Sequence, residues 1–138
     1  MRAMHWVLIV VLPFALAACE SMASGGGLAR AVEGRAWAAE AIGGKDVVDG
    51  AKVTLKIEGG RVSGKAGCNA YGGPVDIHGD SIKFGAIFST KMACMGTGVM
   101  EQESRYLNLL QSATRGEIRN DGALVITADG GTIVYRAE

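Results

Sequence analysis

From Gly34 onward, short apolar runs alternate with turn signals. In "AKVTLKIE" Val53, Leu55 and Ile57 fall on one side, with Lys52, Thr54, Lys56 and Glu58 on the other. That period of two is the mark of a half-buried strand. Gly59-Gly60 follows and then "RVSGKAG", so two residues able to take positive φ separate two extended runs and predict a tight hairpin. "PVDIHGD" and "SIKFG" repeat the scheme around Gly79-Asp80. "RGEIRNDGALVITADGGTIVYRAE" yields three further runs, broken at Asn120-Asp121-Gly122 and Asp129-Gly130-Gly131. One segment departs from this period. In "VMEQESRYLNLLQSATRG" the residues Val99, Tyr106, Leu107, Leu110 and Ala113 recur at helical spacing. Glu101 and Glu103 would favour its first turn, with Arg115 and then Gly116 at the far end. The expected fold is α+β: an antiparallel sheet of about 7–8 short strands with one main amphipathic helix packed on it. Trp37 is expected as a core anchor on the first strand, its indole N–H bonded to a backbone acceptor.

The first residues follow neither period. "MRAMHWVLIVVLPFALAAC" carries Arg2 and then an apolar stretch from Trp6 to Ala18, too short for a stable membrane span but suited to a secretory signal. It ends in Leu16-Ala17-Ala18-Cys19, a bacterial lipobox pattern, so residues 1–18 read as a lipoprotein signal peptide and Cys19 as the lipidated residue. Three acyl chains, at about 0.8 kcal/mol per buried methylene, exceed what stable anchoring needs. Residues 19–33, small, polar and glycine-rich, read as a flexible tether, and residues 34–138 as the single folded domain. The expected location is the bacterial cell envelope, facing the periplasm. Glu20 stands where an aspartate would argue for inner-membrane retention, which leans the reading to the outer membrane.

Charge adds little: fourteen Lys plus Arg balance fourteen Asp plus Glu, with no basic run, so nucleic acid is not an expected partner. With Cys19 lipidated, two cysteines remain. In an oxidising compartment that even count favours a Cys68–Cys94 disulfide closing a separation of 26 residues, worth roughly 3.5 kcal/mol in the loop-entropy model. A catalytic thiol would need a base, and the only histidine past the signal, His78, sits at a turn where exposure is its ordinary state.

Cys68, His78 and Cys94 lack zinc-site spacing. Met92, Cys94, Met95 and Met100 are soft enough for Cu(I), but methionines usually serve as adaptable packing, and an oxidised Cys94 cannot ligate. The glycine clusters match no phosphate-binding loop, and no carboxylate pair or Ser–His set can be assembled. The expectation is therefore no enzyme, no metal and no cofactor. Asn69 and Tyr71 stay open between packing around the bridge and lining a groove that binds a partner.

Trp37, "SGKAGCNAYGG" (Ser63 to Gly73), "STKMAC" (Ser89 to Cys94), "EQESRYLNLL" (Glu101 to Leu110) and the closing "GALVITADGG" resemble the META-domain family, which includes HslJ-like bacterial envelope lipoproteins. The resemblance implies an α+β domain with no established catalytic site, associated with envelope stress and novobiocin resistance. It also implies that the two motif cysteines are Cys68 and Cys94. Two functions stand: a monomeric lipoprotein held to the membrane by its N-terminal lipid and binding an unidentified envelope protein, or a periplasmic carrier of a small molecule or soft metal.

Overall fold

A computed structural model describes residues 27–138; the expected signal peptide, the expected lipidation site Cys19 and the expected tether up to residue 26 lie outside the described residues. The strands are β1 (Ala36–Ile42), β2 (Lys45–Asp46), β3 (Thr54–Glu58), β4 (Arg61–Lys65), β5 (Ala70–His78), β6 (Ser81–Phe84), β7 (Phe88–Ser89), β8 (Ala113–Ile118), β9 (Leu124–Ala128) and β10 (Gly131–Ala137). Two helices accompany them, α1 (Gly27–Val32) and α2 (Val99–Gln111). Eight strands run in the order β10-β9-β8-β6-β5-β4-β3-β1, and β1 pairs with β10 to close an antiparallel barrel. The two-residue strands β2 and β7 hang on β1 and β5. An eight-stranded barrel is just wide enough to be filled by its own side chains. Trp37, Leu55, Ile57, Ile82, Leu124, Ile126 and Ile133 are all almost wholly buried.

The turns fall where the period of two broke. Gly59 and Gly60 take φ of 58° and 75°, both in the left-handed region that a two-residue hairpin of this kind requires. That hairpin sets Ile57 opposite Val62 and sends both into the core. The barrel has two unlike ends. At one lie the start of β1, the end of β10 and the turns after β3, β5 and β8. At the other lie the connections after β1, β4, β6 and β9, and α2 covers this end. Arg105 Nε donates to Ile42 O (3.1 Å), and the Gln111 side chain donates to Phe84 O and Gly85 O while accepting from Ile87 N. Those Gln111 bonds matter because β6 and β8 share only one residue pair, Ser81 with Arg115. The side-chain amide supplies part of the pairing that the backbone does not make there.

Three expectations need correction. The tether does not extend to residue 33. Gly27–Val32 is helical and buries Leu28 and Val32, an i,i+4 pair that gives this short helix an inner face. The packed domain therefore takes in α1, and Glu33 ties α1 down by accepting from Gly59 N (2.9 Å). Second, the main helix stops at Gln111, and Arg115 and Gly116 belong to strand β8. Ser112 ends it: its hydroxyl donates to Asn108 O (3.0 Å), satisfying a carbonyl that the next turn would have used. Third, Trp37 is buried on β1 as expected, yet its indole N–H has no acceptor. The strands on both sides of it use their carbonyls in the ladder, which leaves the inward-pointing N–H without one.

Candidate functional site

The "GKAGCNAYGG" stretch connects β4 to β5 at the α2 end, and the "STKMAC" stretch runs beside it from β7 toward α2. A disulfide joins Cys68 to Cys94, with Cα atoms 5.8 Å apart. Next to it, Asn69 grips Met92 as a strand neighbour would. Its Oδ1 accepts from Met92 N (2.7 Å) and its Nδ2 donates to Met92 O (3.0 Å). Thr90 completes the clasp: its hydroxyl donates to Asn69 Oδ1 (2.9 Å), and its backbone N–H donates to Ala70 O (3.0 Å). From the other side Glu103 of α2 accepts from the backbone N–H and the Nδ2 of Asn69, both at 2.7 Å. All four bonding positions of the Asn69 amide are thereby filled inside the protein.

Tyr71, two residues on, faces the opposite way, into the barrel mouth. Three hydroxyls meet there: Tyr71 and Tyr106 are 2.6 Å apart, and Tyr135 lies 3.0 Å from Tyr106. Tyr71 donates its single proton to Thr54 O (2.8 Å), so Tyr106 must donate to Tyr71 and Tyr135 to Tyr106. The chain has one sense and leaves no hydroxyl donor unused. Burial holds the ionisation of all three well above the ordinary tyrosine value, and the mutual repulsion of their phenolates adds to this. Gly64 is required here for space. A Cβ on it would lie 2.1 Å from Thr54 O and 3.1 Å from the Tyr71 ring.

Asn69 and Tyr71, the residues left open to binding, are therefore both buried and bonded within the chain. Two contributors went unread in the sequence. Glu103 was expected, with Glu101, as an acid of the first helical turn; Glu101 has that place, and Glu103 points inward at Asn69. Gln102 is also buried, accepting from Val48 N (2.7 Å) and donating to Ala51 O (3.0 Å). The available signal was their position: Glu103 lies three residues before Tyr106 on the face that packs inward.

The remaining candidates stay apart. His78 is exposed at the far end of β5 from Cys68 and pairs with Asp76 (3.1 Å). Among the described residues, no three His, Cys, Asp or Glu side chains converge as a metal site. A surface hollow of about 640 Å³ lies at the α1 end, lined by Leu28, Ala31, Asp80 and Ile118, away from every motif residue above. Three large apolar side chains reach solvent at the α2 end: Phe88 is 63% exposed, Met92 53% and Met95 99%. On the outer wall Asp121 bridges Arg119 (3.3 Å) and Arg136 (3.2 Å), and Arg136 also meets Glu40 (3.0 Å). The Ala123 N–H first, and then the two guanidiniums, hold the Asp121 carboxyl below its ordinary range.

A family model, the META domain, matches residues 30–138. The chain belongs to the META-domain family. The match takes in all ten strands and both motifs of the clasp, so the disulfide, Asn69 and Tyr71 lie within the META domain proper. Two solved structures share the fold. An NMR structure of a protein from Burkholderia xenovorans is 24% identical, with TM-score 0.63, covering 81% of this chain and 87% of that one. A second NMR structure is 17% identical, with TM-score 0.65, covering 78% and 92% respectively. No curated protein matches the chain. At these identities the likeness speaks for the META architecture alone.

Proposed function

We propose that this META-domain chain is a non-catalytic lipoprotein of the cell envelope, acting in envelope stress or antibiotic tolerance by binding an envelope partner. The observation that carries the reading is Leu16-Ala17-Ala18-Cys19 directly after an apolar run with one upstream cation. The geometry supports it in two ways. The barrel interior is filled by side chains, and the polar atoms of the motif are bonded inward, so contact with a partner falls to the outer surface. That arrangement favours a binding module over a carrier that encloses its cargo.

The direction of presentation follows from chain length. Residues 20–26 extend at most about 25 Å between Cys19 and the start of α1. An anchored domain would keep its α1 end toward the membrane and turn the Phe88 and Lys91 segment outward, into the periplasm. Labelling with a palmitate analogue and intact-mass measurement test the reading. Acyl mass on Cys19, lost in Cys19→Ser, is expected; an unmodified secreted protein would overturn the anchor. Crosslinking in stressed cells would then identify the partner.

A further inference from the structure

We propose that Met92, Met95 and Met100 form a thioether site for a soft monovalent cation, Cu(I) or Ag(I), beside the intact Cys68–Cys94 bridge. The inference goes beyond the tethered-module reading and does not depend on acylation. Met95 stands almost entirely in solvent, and Met92 more than half so. Large apolar side chains held out in this way contribute nothing to a core, and grouped exposure of this kind marks a contact or ligand surface.

The backbone beneath them is fixed at three points. Asn69 holds both backbone groups of Met92, the disulfide holds Cys94, and α2 begins at Val99. Met100, in the first turn of α2, packs with Cys94 against Cys68, Val99 and Ala51. Three unbranched side chains thus rise from one pinned stretch of loop and helix start. Each has three rotatable bonds with which to turn its sulfur toward a shared ion.

The chemistry of the surroundings selects the ion. Between Gly85 and Gly98 the only charged residue is Lys91; beside Met100 stands one exposed carboxylate, Glu101, and Glu103 is turned away onto Asn69. No carboxylate set is offered to a hard divalent ion, whereas neutral thioethers suit a soft cation. A bridged cysteine supplies no thiolate. Thioethers also carry no proton to lose, so binding here should not weaken in acid as it does at a thiolate or imidazole site.

The test uses the oxidised mature chain, with Ag(I) as a redox-inert probe and methionine methyl resonances as the readout. Met22, not among the proposed donors, is the internal control. The expected result is one ion bound, with the methyls of Met92, Met95 and Met100 shifting together and Met22 still. Affinity should stay within about threefold from pH 5 to 8, because no ligand titrates. The Met92→Leu, Met95→Leu double variant keeps an apolar surface but removes two donors, and affinity should fall by about 100-fold or more. Equal shifts at Met22, binding that appears only after reduction of the bridge, or undiminished binding by the Leu variant would each overturn the proposal.

Discussion

Replacing Asn69 by Asp tests the clasp at its centre. The change is nearly isosteric and keeps Oδ1, so the bonds from Met92 N and Thr90 can persist. It replaces Nδ2 by an oxygen 2.7 Å from Glu103 Oε2. Two ionised carboxylates at that separation repel by about 6 kcal/mol at an effective dielectric of 20. The protein has a cheaper course, which is to take up one proton and rebuild the bond as O–H to carboxylate. For a carboxyl that ordinarily titrates near 4, holding that proton at pH 7 costs about 4 kcal/mol. The lower figure governs, and with about 1 kcal/mol for the lost donor to Met92 O the variant should lose about 5 kcal/mol at pH 7, or roughly 20 °C in melting temperature for a domain this size.

The shared proton raises the folded-state ionisation of the pair, so the deficit is smallest below the unfolded carboxyl value and grows as pH rises. Near pH 4 only the lost donor to Met92 O should remain, about 1 kcal/mol. Urea denaturation of wild type and variant in a Cys19→Ser background, from pH 4 to 7, measures the difference. A deficit under about 1 kcal/mol at pH 7, or one that does not shrink toward pH 4, would refute the placement of Glu103 against Asn69.

Two further outcomes follow from the same end of the barrel. Cys94→Ser should cost roughly 3.5 kcal/mol through the denatured chain, read from urea midpoints, and the intact protein should show no reactive thiol at Cys68 or Cys94. All three tyrosines of the chain are in the buried hydroxyl chain, so none should ionise before unfolding. Their raised folded-state values mean that stability is intact below about pH 10 and then falls by up to about 4 kcal/mol per pH unit as the unfolded chain releases three protons. Near-ultraviolet absorbance should show a single tyrosinate step coincident with loss of circular dichroism; a separate earlier step would contradict the hydroxyl chain.

The strands and turns were legible because a half-buried strand writes its period locally: Val53, Leu55 and Ile57 alternate, and Gly59-Gly60 permits the one conformation that reverses the chain there. Barrel closure was not legible. The pairing of Trp37 with Ala137 links positions about a hundred residues apart, and no local pattern encodes it. The clasp was half legible. Counting cysteines predicted the bridge, but Asn69 and Tyr71 looked available for binding because their partners, Glu103 and Tyr106, sit on a helix whose inner face carries polar residues. A buried carboxylate and an exposed one are the same letter, and only packing tells them apart. The true end of α2 was hidden for a related reason. Ala113 fits the helical repeat and also begins a strand, so the Ser112 cap decided the boundary.

Because β1 and β10 close the barrel side by side, Ala36 and Ala137 are near neighbours at the α1 end. The register of the barrel does not care where the chain is cut. A circular permutant joined across those two positions and reopened at Gly130 would keep every barrel pairing, since that turn only links β9 to β10. Its new ends would leave from the α2 side. An anchor attached there would turn the molecule over, hiding the disulfide loop against the lipid and presenting the three hairpin turns instead. Which face the domain shows is therefore set by the point at which the chain enters a closed ring, separately from how that ring is packed.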